Sequence, residues 1–148
     1  MAKILVVDDE RSIRNSMKEV LEFEGHVVTL AEDGETGLKE AEKEQFDLVF
    51  SDIKMPKMDG IELLAKMRQL QPSTKMILIS GHGTIETAVQ CMRNGAFDFI
   101  EKPMNLNRLL QAVKEAMSSN STESSNLRAA ISNGVKKATG GVVDDREM

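Results

Sequence analysis

Five short apolar or β-branched runs recur along the chain at intervals of about 20 to 30 residues, and no other feature narrows the fold as much. They are Ile4-Leu5-Val6-Val7, Val27-Val28-Thr29-Leu30, Leu48-Val49-Phe50, Met76-Ile77-Leu78-Ile79 and Phe97-Asp98-Phe99-Ile100. The first, third and fourth are apolar nearly throughout, the pattern of strands covered on both faces. The second alternates more with its surroundings, and the fifth interrupts its Phe residues with Asp98, so both read as edge strands.

Stretches of helical period separate the runs. Ile13, Met17, Val20 and Leu21 line a first helix that Gly25 stops. A weaker second runs from about Glu35 to Glu44 and carries Leu38 and Ala41. Ile61, Leu64, Met67 and Leu70 define a third, ended by Pro72. Ile85, Ala88, Val89 and Met92 define a fourth, ended at Asn94-Gly95. Leu106, Leu109, Leu110, Val113 and Met117 define a fifth, with Asn105 as its N-cap. Strand and helix thus alternate five times, and right-handed crossovers turn that pattern into a parallel sheet with helices on both faces. The expected architecture is a doubly wound (βα)5 fold; periodicity does not set the strand order, and the flavodoxin-like order 2-1-3-4-5 is expected as the common solution at this size.

That pattern accounts for residues 1–117 as one domain. Residues 118–126 contain no apolar side chain and read as a polar linker. In the tail, 127–148, Leu127, Ala130, Ile131, Val135 and Ala138 fit one face of a short, weak amphipathic helix. A frayed tail with a chance pattern fits as well, because so short a helix is marginal unless it docks.

Composition removes several function classes. The 148 residues carry 19 Lys and Arg against 24 Asp and Glu, a net charge of −5 that disfavours direct nucleic-acid binding. All five aromatic residues are Phe, too few for a base-stacking platform or a sugar-binding cleft. The lone Cys91 cannot form an internal disulfide, which fits a reducing compartment. The apolar run at the N-terminus is too short for a signal peptide or a membrane span. A soluble, cytoplasmic protein without membrane partners is expected.

In a parallel doubly wound sheet, ligands bind beyond the carboxyl ends of the strands. Here those ends carry Asp8-Asp9-Glu10, Ser51-Asp52, Ser80-Gly81 and Glu101-Lys102-Pro103. Carboxylates converging there repel one another unless a cation joins them. Mg²⁺ suits one or two carboxylates, waters and a phosphate oxygen, with Mn²⁺ as an alternative. Zn²⁺ does not fit, since of His26, His82 and Cys91 only His82 falls near the strand ends. Solvated turns or helix caps would account for Asp8 or Asp9 alone, but not for the whole set. With a bound cation the parts suit phosphoryl transfer: Asp52 as nucleophile, Asp9 and Asp8 toward the metal, Lys102 and Ser80 toward the phosphoryl oxygens. No P-loop and no Gly-x-Gly-x-x-Gly after the first strand is present. The Lys102–Pro103 peptide is expected to be trans.

The segments Val6-Val7-Asp8-Asp9-Glu10, Ser51-Asp52-Ile53-Lys54-Met55-Pro56-Lys57-Met58-Asp59-Gly60, Ser80-Gly81-His82-Gly83 and Phe99-Ile100-Glu101-Lys102-Pro103 resemble the receiver domain of bacterial two-component response regulators. The run from Ser80 to Pro103 is similar to receivers of nitrogen-regulator-type transcription activators. The resemblance implies that a sensor histidine kinase phosphorylates Asp52. It implies Mg²⁺ on Asp9, Asp52, the backbone carbonyl of Lys54 and, through water, Asp8. It also implies Ser80 as the switch hydroxyl, Phe99 as the switch aromatic, and Lys54 and His82 at rim positions that tune phosphoryl lifetime. Phe99 has no hydroxyl, so a hydrogen bond made by Tyr in relatives is lost. The face of the fourth helix, fifth strand and fifth helix would serve a downstream output domain or protein, and self-association. The chain is then either a receiver cut from a longer regulator or a stand-alone relay protein.

Two other classes compete. A Mg²⁺-dependent phosphatase also uses an Asp nucleophile, but such enzymes usually carry Asp-x-Asp where this chain has Asp8-Asp9-Glu10. A flavin-binding module would need a hydroxyl-rich loop after the first strand, where acidic residues stand.

Overall fold

The computed structural model describes residues 1–118. Five strands and five helices alternate: β1 (Lys3–Val7), α1 (Arg11–Phe23), β2 (Val27–Ala31), α2 (Gly34–Lys43), β3 (Leu48–Asp52), α3 (Gly60–Leu70), β4 (Lys75–Ser80), α4 (Ile85–Arg93), β5 (Asp98–Glu101) and α5 (Leu106–Ser118). Of the linker expected over 118–126, Ser118 is described and ends α5; residues 119–126 and the expected tail, 127–148, lie outside the described residues.

All strand pairs are parallel, and the order is β2-β1-β3-β4-β5, the flavodoxin-like order expected for a domain of this size. β3 lies in the centre with every residue buried. β2 and β5 are the edges. Side chains alternate across the sheet, so each strand feeds two cores. Ile4, Val6, Phe50, Ile77 and Ile79 meet Met17 and Leu21 of α1 and Leu109 and Val113 of α5 on one face. Leu5, Val7, Val49 and Leu78 meet Ala41 of α2, Leu63, Leu64 and Met67 of α3 and Cys91 of α4 on the other. Full burial of one such Leu is worth about 1.5–3 kcal/mol, so the sandwich is held by apolar burial on both faces.

Helix ends follow local chemistry. Asp33, Asp59 and Thr84 accept side-chain capping bonds from Thr36, Glu62 and Thr87 at the starts of α2, α3 and α4. Asn105 accepts from the Arg108 N–H at 2.7 Å, the cap expected for α5. Gly25 and Gly95, just past α1 and α4, have φ of +93° and +99°, the left-handed region that lets a chain leave a helix sharply.

Two expectations are corrected. The apolar face of α4 is rotated from the one its period suggests. Ile85 is 77% exposed, while Cys91 is fully buried. Ile85 opens α4 directly after the N-cap Thr84, whereas Cys91 lies in the core cluster with Leu64, Met76 and Leu78. The Lys102–Pro103 peptide is cis. An X–Pro bond favours trans by only about 0.5–1 kcal/mol, so tertiary packing can select either isomer.

Candidate functional site

The topology delivers the ends of β1, β3, β4 and β5 to one rim. Asp8 follows β1 and extends its ladder, donating its N–H to the Ala31 carbonyl at 3.1 Å. Asp52 is the last residue of β3 and Ser80 the last of β4. The Lys102 N–H donates to the Ser80 carbonyl at 2.8 Å, so β5 hands its lysine into the same crevice.

One carboxylate oxygen from each of Asp8, Asp9 and Asp52 comes within 4.8 Å of the others. Asp8 and Asp52 are buried and Asp9 is exposed, so the cluster opens to solvent on one side. Lys102 Nζ lies 3.3 Å from Asp8 Oδ2, 3.3 Å from Asp52 Oδ2 and 3.4 Å from Glu10 Oε1. One ammonium therefore faces three carboxylates. It forms a hydrogen bond to Asp52, whereas its contact with Asp8 is an ion pair only, and Asp8 Oδ2 keeps no hydrogen-bond partner although buried. A buried carboxylate oxygen in that state is a ready ligand for a hard cation, and an all-oxygen donor set open to water suits Mg²⁺.

The electrostatics agree with that reading. Burial, followed by the nearby Asp8 charge, raises the pKa of Asp52, and Lys102 offsets only part of this. Burial acts to lower the pKa of Lys102, but the Asp8 and Asp52 charges and their contacts outweigh it and raise the net value. The lysine stays charged, and the aspartate is held under strain that a cation would relieve.

Ser80 is buried, and its Oγ accepts from the His82 N–H at 3.1 Å, leaving the hydroxyl proton free to donate. His82 and Lys54 are exposed on the loops after β4 and β3. Phe99, on β5, is half-buried, and its ring lies over Gly83. A Cβ at Gly83 would sit 2.7 Å from the ring's Cζ, so glycine is what allows this packing. Gly60 has a similar role at the start of α3. A Cβ there would lie 2.8 Å from Ile53 Cα and closer still to the Asp52 carbonyl. The loop after β3 can thus fold tightly against Asp52 and Ile53.

The structure brings together Asp8, Asp9, Asp52 and Lys102, with Ser80 at the end of the neighbouring strand β4. It keeps Lys54 and His82 at the rim and Phe99 on the adjoining face. It adds two contacts that the sequence reading assigned no role: Glu10 on Lys102, and Arg14, whose guanidinium donates to the Asp8 carbonyl at 2.7 Å. The spacing of Arg14 from Glu10, one turn into α1, was the available signal.

The sequence pattern of the response regulator receiver domain matches residues 4–114. The chain belongs to that family. This receiver is 39% identical over 113 residues to the C4-dicarboxylate transport transcriptional regulatory protein DctD of Rhizobium meliloti, covering 76% of this chain and 25% of that protein. It is 40% identical over 116 residues to the nitrogen assimilation regulatory protein NtrX of Azorhizobium caulinodans, covering 77% of this chain and 26% of that protein. Among solved structures, the NtrX receiver domain of Brucella abortus superposes with a TM-score of 0.75 at 40% identity, covering 79% of this chain and 99% of that one. A CheY-like receiver from Methanospirillum hungatei gives 0.76 at 38% identity, covering 86% and 98%. The receiver thus spans about a quarter of the length of the first curated relatives it matches. The five-stranded receiver fold and the membership of a signalling-switch family, rather than of a turnover enzyme, are both as expected from sequence. None of the described helices is long and apolar enough to cross a membrane.

Proposed function

We propose that this receiver works in the cytoplasm, accepts one phosphoryl group on Asp52 from a sensor histidine kinase in a Mg²⁺-dependent reaction, and passes the change to its α4–β5–α5 face. The observation that carries the reading is the buried Asp52 carboxylate, 3.3 Å from Lys102 and grouped with Asp8 and Asp9.

Asp8, Asp9, Asp52 and the Lys54 carbonyl would hold the cation, Mg²⁺ or Mn²⁺. When bound, it supplies positive charge against the phosphoryl oxygens and relieves repulsion among the carboxylates. An Asp52 carboxylate oxygen forms a bond to phosphorus as the P–N bond to the donor imidazole breaks. The electron pair leaves with the imidazole nitrogen, which then takes a proton from solvent. Lys102 turns from Asp52 toward a phosphoryl oxygen, and the Ser80 hydroxyl donates to another. Asp52 at the strand end accepts the group once and holds it, so the receiver acts as a switch. Lys54 and His82 stand at the rim, where they would control the approach of the hydrolytic water.

The output would follow from Ser80 and Phe99. Drawing Ser80 toward the phosphoryl group opens space on the side of β4 facing β5, and the Phe99 ring leaves Gly83 to fill it. A hollow of about 540 Å³ lined by Gly83, Ile85, Ala88, Phe99 and Arg108 is the surface that would change. An output domain or protein, or a second receiver, would read it, and the net charge of −5 argues against direct nucleic-acid binding.

A phosphoryl mimic tests the switch. Adding beryllofluoride with Mg²⁺ should shift amide resonances of Ser80, Phe99 and the α4–β5–α5 face well beyond those of α2. Shifts confined to the residues around Asp52 would contradict the proposed output face.

A further inference from the structure

Asp8 is tied at every polar group but one. Its N–H donates to Ala31, its Oδ1 accepts from the Glu10 N–H at 2.8 Å, and its carbonyl accepts from Arg14 Nη1 at 2.7 Å. What remains is Oδ2, buried and facing Lys102. The first two ties are made by the ladder and by the turn itself. The third comes from a side chain on α1. The start of that helix is otherwise weakly held: its N-cap residue Glu10 makes no side-chain capping bond, and its first turn holds no acidic residue.

We propose that Arg14 is a positioning residue for the cation-binding carboxylates. The carbonyl it grips belongs to the rigid peptide unit that joins Asp8 to Asp9. Holding that unit fixes the direction from which the exposed Asp9 carboxylate enters the cluster. Mg²⁺ requires near-octahedral geometry and tolerates a displaced ligand poorly, so the orientation is felt as affinity. The inference rests on Asp8, Asp9 and Asp52 being the ligands of a divalent cation.

Charge and position make opposite demands on this residue. A guanidinium bonded beside Asp8 repels a second cation, so a purely electrostatic Arg14 would weaken Mg²⁺ binding, and neutralising it would tighten the complex. A positioning Arg14 does the reverse. Lysine separates the two further, because it keeps the charge and loses the planar fork.

The test is calorimetric titration of Mg²⁺ into wild type, Arg14→Ala and Arg14→Lys, with melting curves in EDTA to establish that each is folded. Arg14→Ala should bind Mg²⁺ on the order of ten-fold more weakly than wild type, as expected when a residue supporting a ligand is lost. Arg14→Lys should weaken in the same direction. In acetyl phosphate labelling, the Mg²⁺ half-saturation concentration should rise while the rate at saturating Mg²⁺ returns toward wild type. Equal or tighter Mg²⁺ binding by folded Arg14→Ala overturns the positioning role. Should that variant not fold, Arg14→Lys decides by the same criterion. A wild type that binds no Mg²⁺ instead overturns the cation site itself, and the inference with it.

Discussion

Asp52 sits where a carboxylate is costly to ionise, between burial and the charge of Asp8. Its folded pKa lies above its ordinary value, so the native state binds its proton more tightly than the unfolded chain does. Ionisation therefore costs stability at pH above the folded pKa, and the cost fades as pH falls toward the ordinary carboxylate range. Asp52→Asn should accordingly melt a few degrees above wild type at pH 7 in EDTA. The gain should shrink on acidification and on adding Mg²⁺ to wild type. A variant less stable than wild type at pH 7 would show that Lys102 already compensates the charge in full. Lys102 has the complementary linkage: its pKa is raised, so its stabilisation holds at neutral pH and is lost only as pH climbs through that alkaline value.

Among the elements, one amide ties three chain segments at the end of the sheet opposite the site. Gln71, 4% exposed, donates to the carbonyls of Ala41 at 2.6 Å and Glu44 at 2.7 Å, and accepts from the Phe46 N–H and the Thr74 hydroxyl. It thereby joins the end of α2, the entry to β3 and the end of α3. Gln71→Ala would take this partner from the Ala41 and Glu44 carbonyls and the Phe46 N–H, while the Thr74 hydroxyl keeps its bond to the Phe46 carbonyl, at a cost of about 2–4 kcal/mol in total. Urea unfolding should show that loss with Asp52 labelling retained in the folded fraction. A change below about 0.5 kcal/mol would mean that water replaces the amide without penalty.

For the whole molecule, the period of the apolar runs made the fold legible, because strands buried on both faces leave a signal that short helices and turns do not blur. The strand-end rule then made Asp8, Asp9, Asp52, Ser80 and Lys102 legible as one group; the structure clusters Asp8, Asp9, Asp52 and Lys102 and ends the neighbouring strand β4 at Ser80. What stayed hidden depends on side-chain direction or on contacts distant in sequence. Arg14 reads as one more exposed helix cation until its bond to the Asp8 carbonyl is seen. Gln71 reads as a polar residue before Pro72, although it binds partners 25 to 30 residues away. Cys91 takes the buried position on α4 in place of Ile85, since which face of a helix meets the sheet is not written in its own period.

All of these scales converge on the capacity of Asp52 to take a phosphoryl group, and that is directly measurable. Wild type and Asp52→Asn would be incubated with acetyl phosphate, with and without Mg²⁺, and their intact masses compared. A single phosphoryl addition to wild type that requires Mg²⁺ and is absent from Asp52→Asn is the expected result. No addition under any condition, or an equal addition to Asp52→Asn, would contradict the assignment of Asp52 as the phosphoryl acceptor.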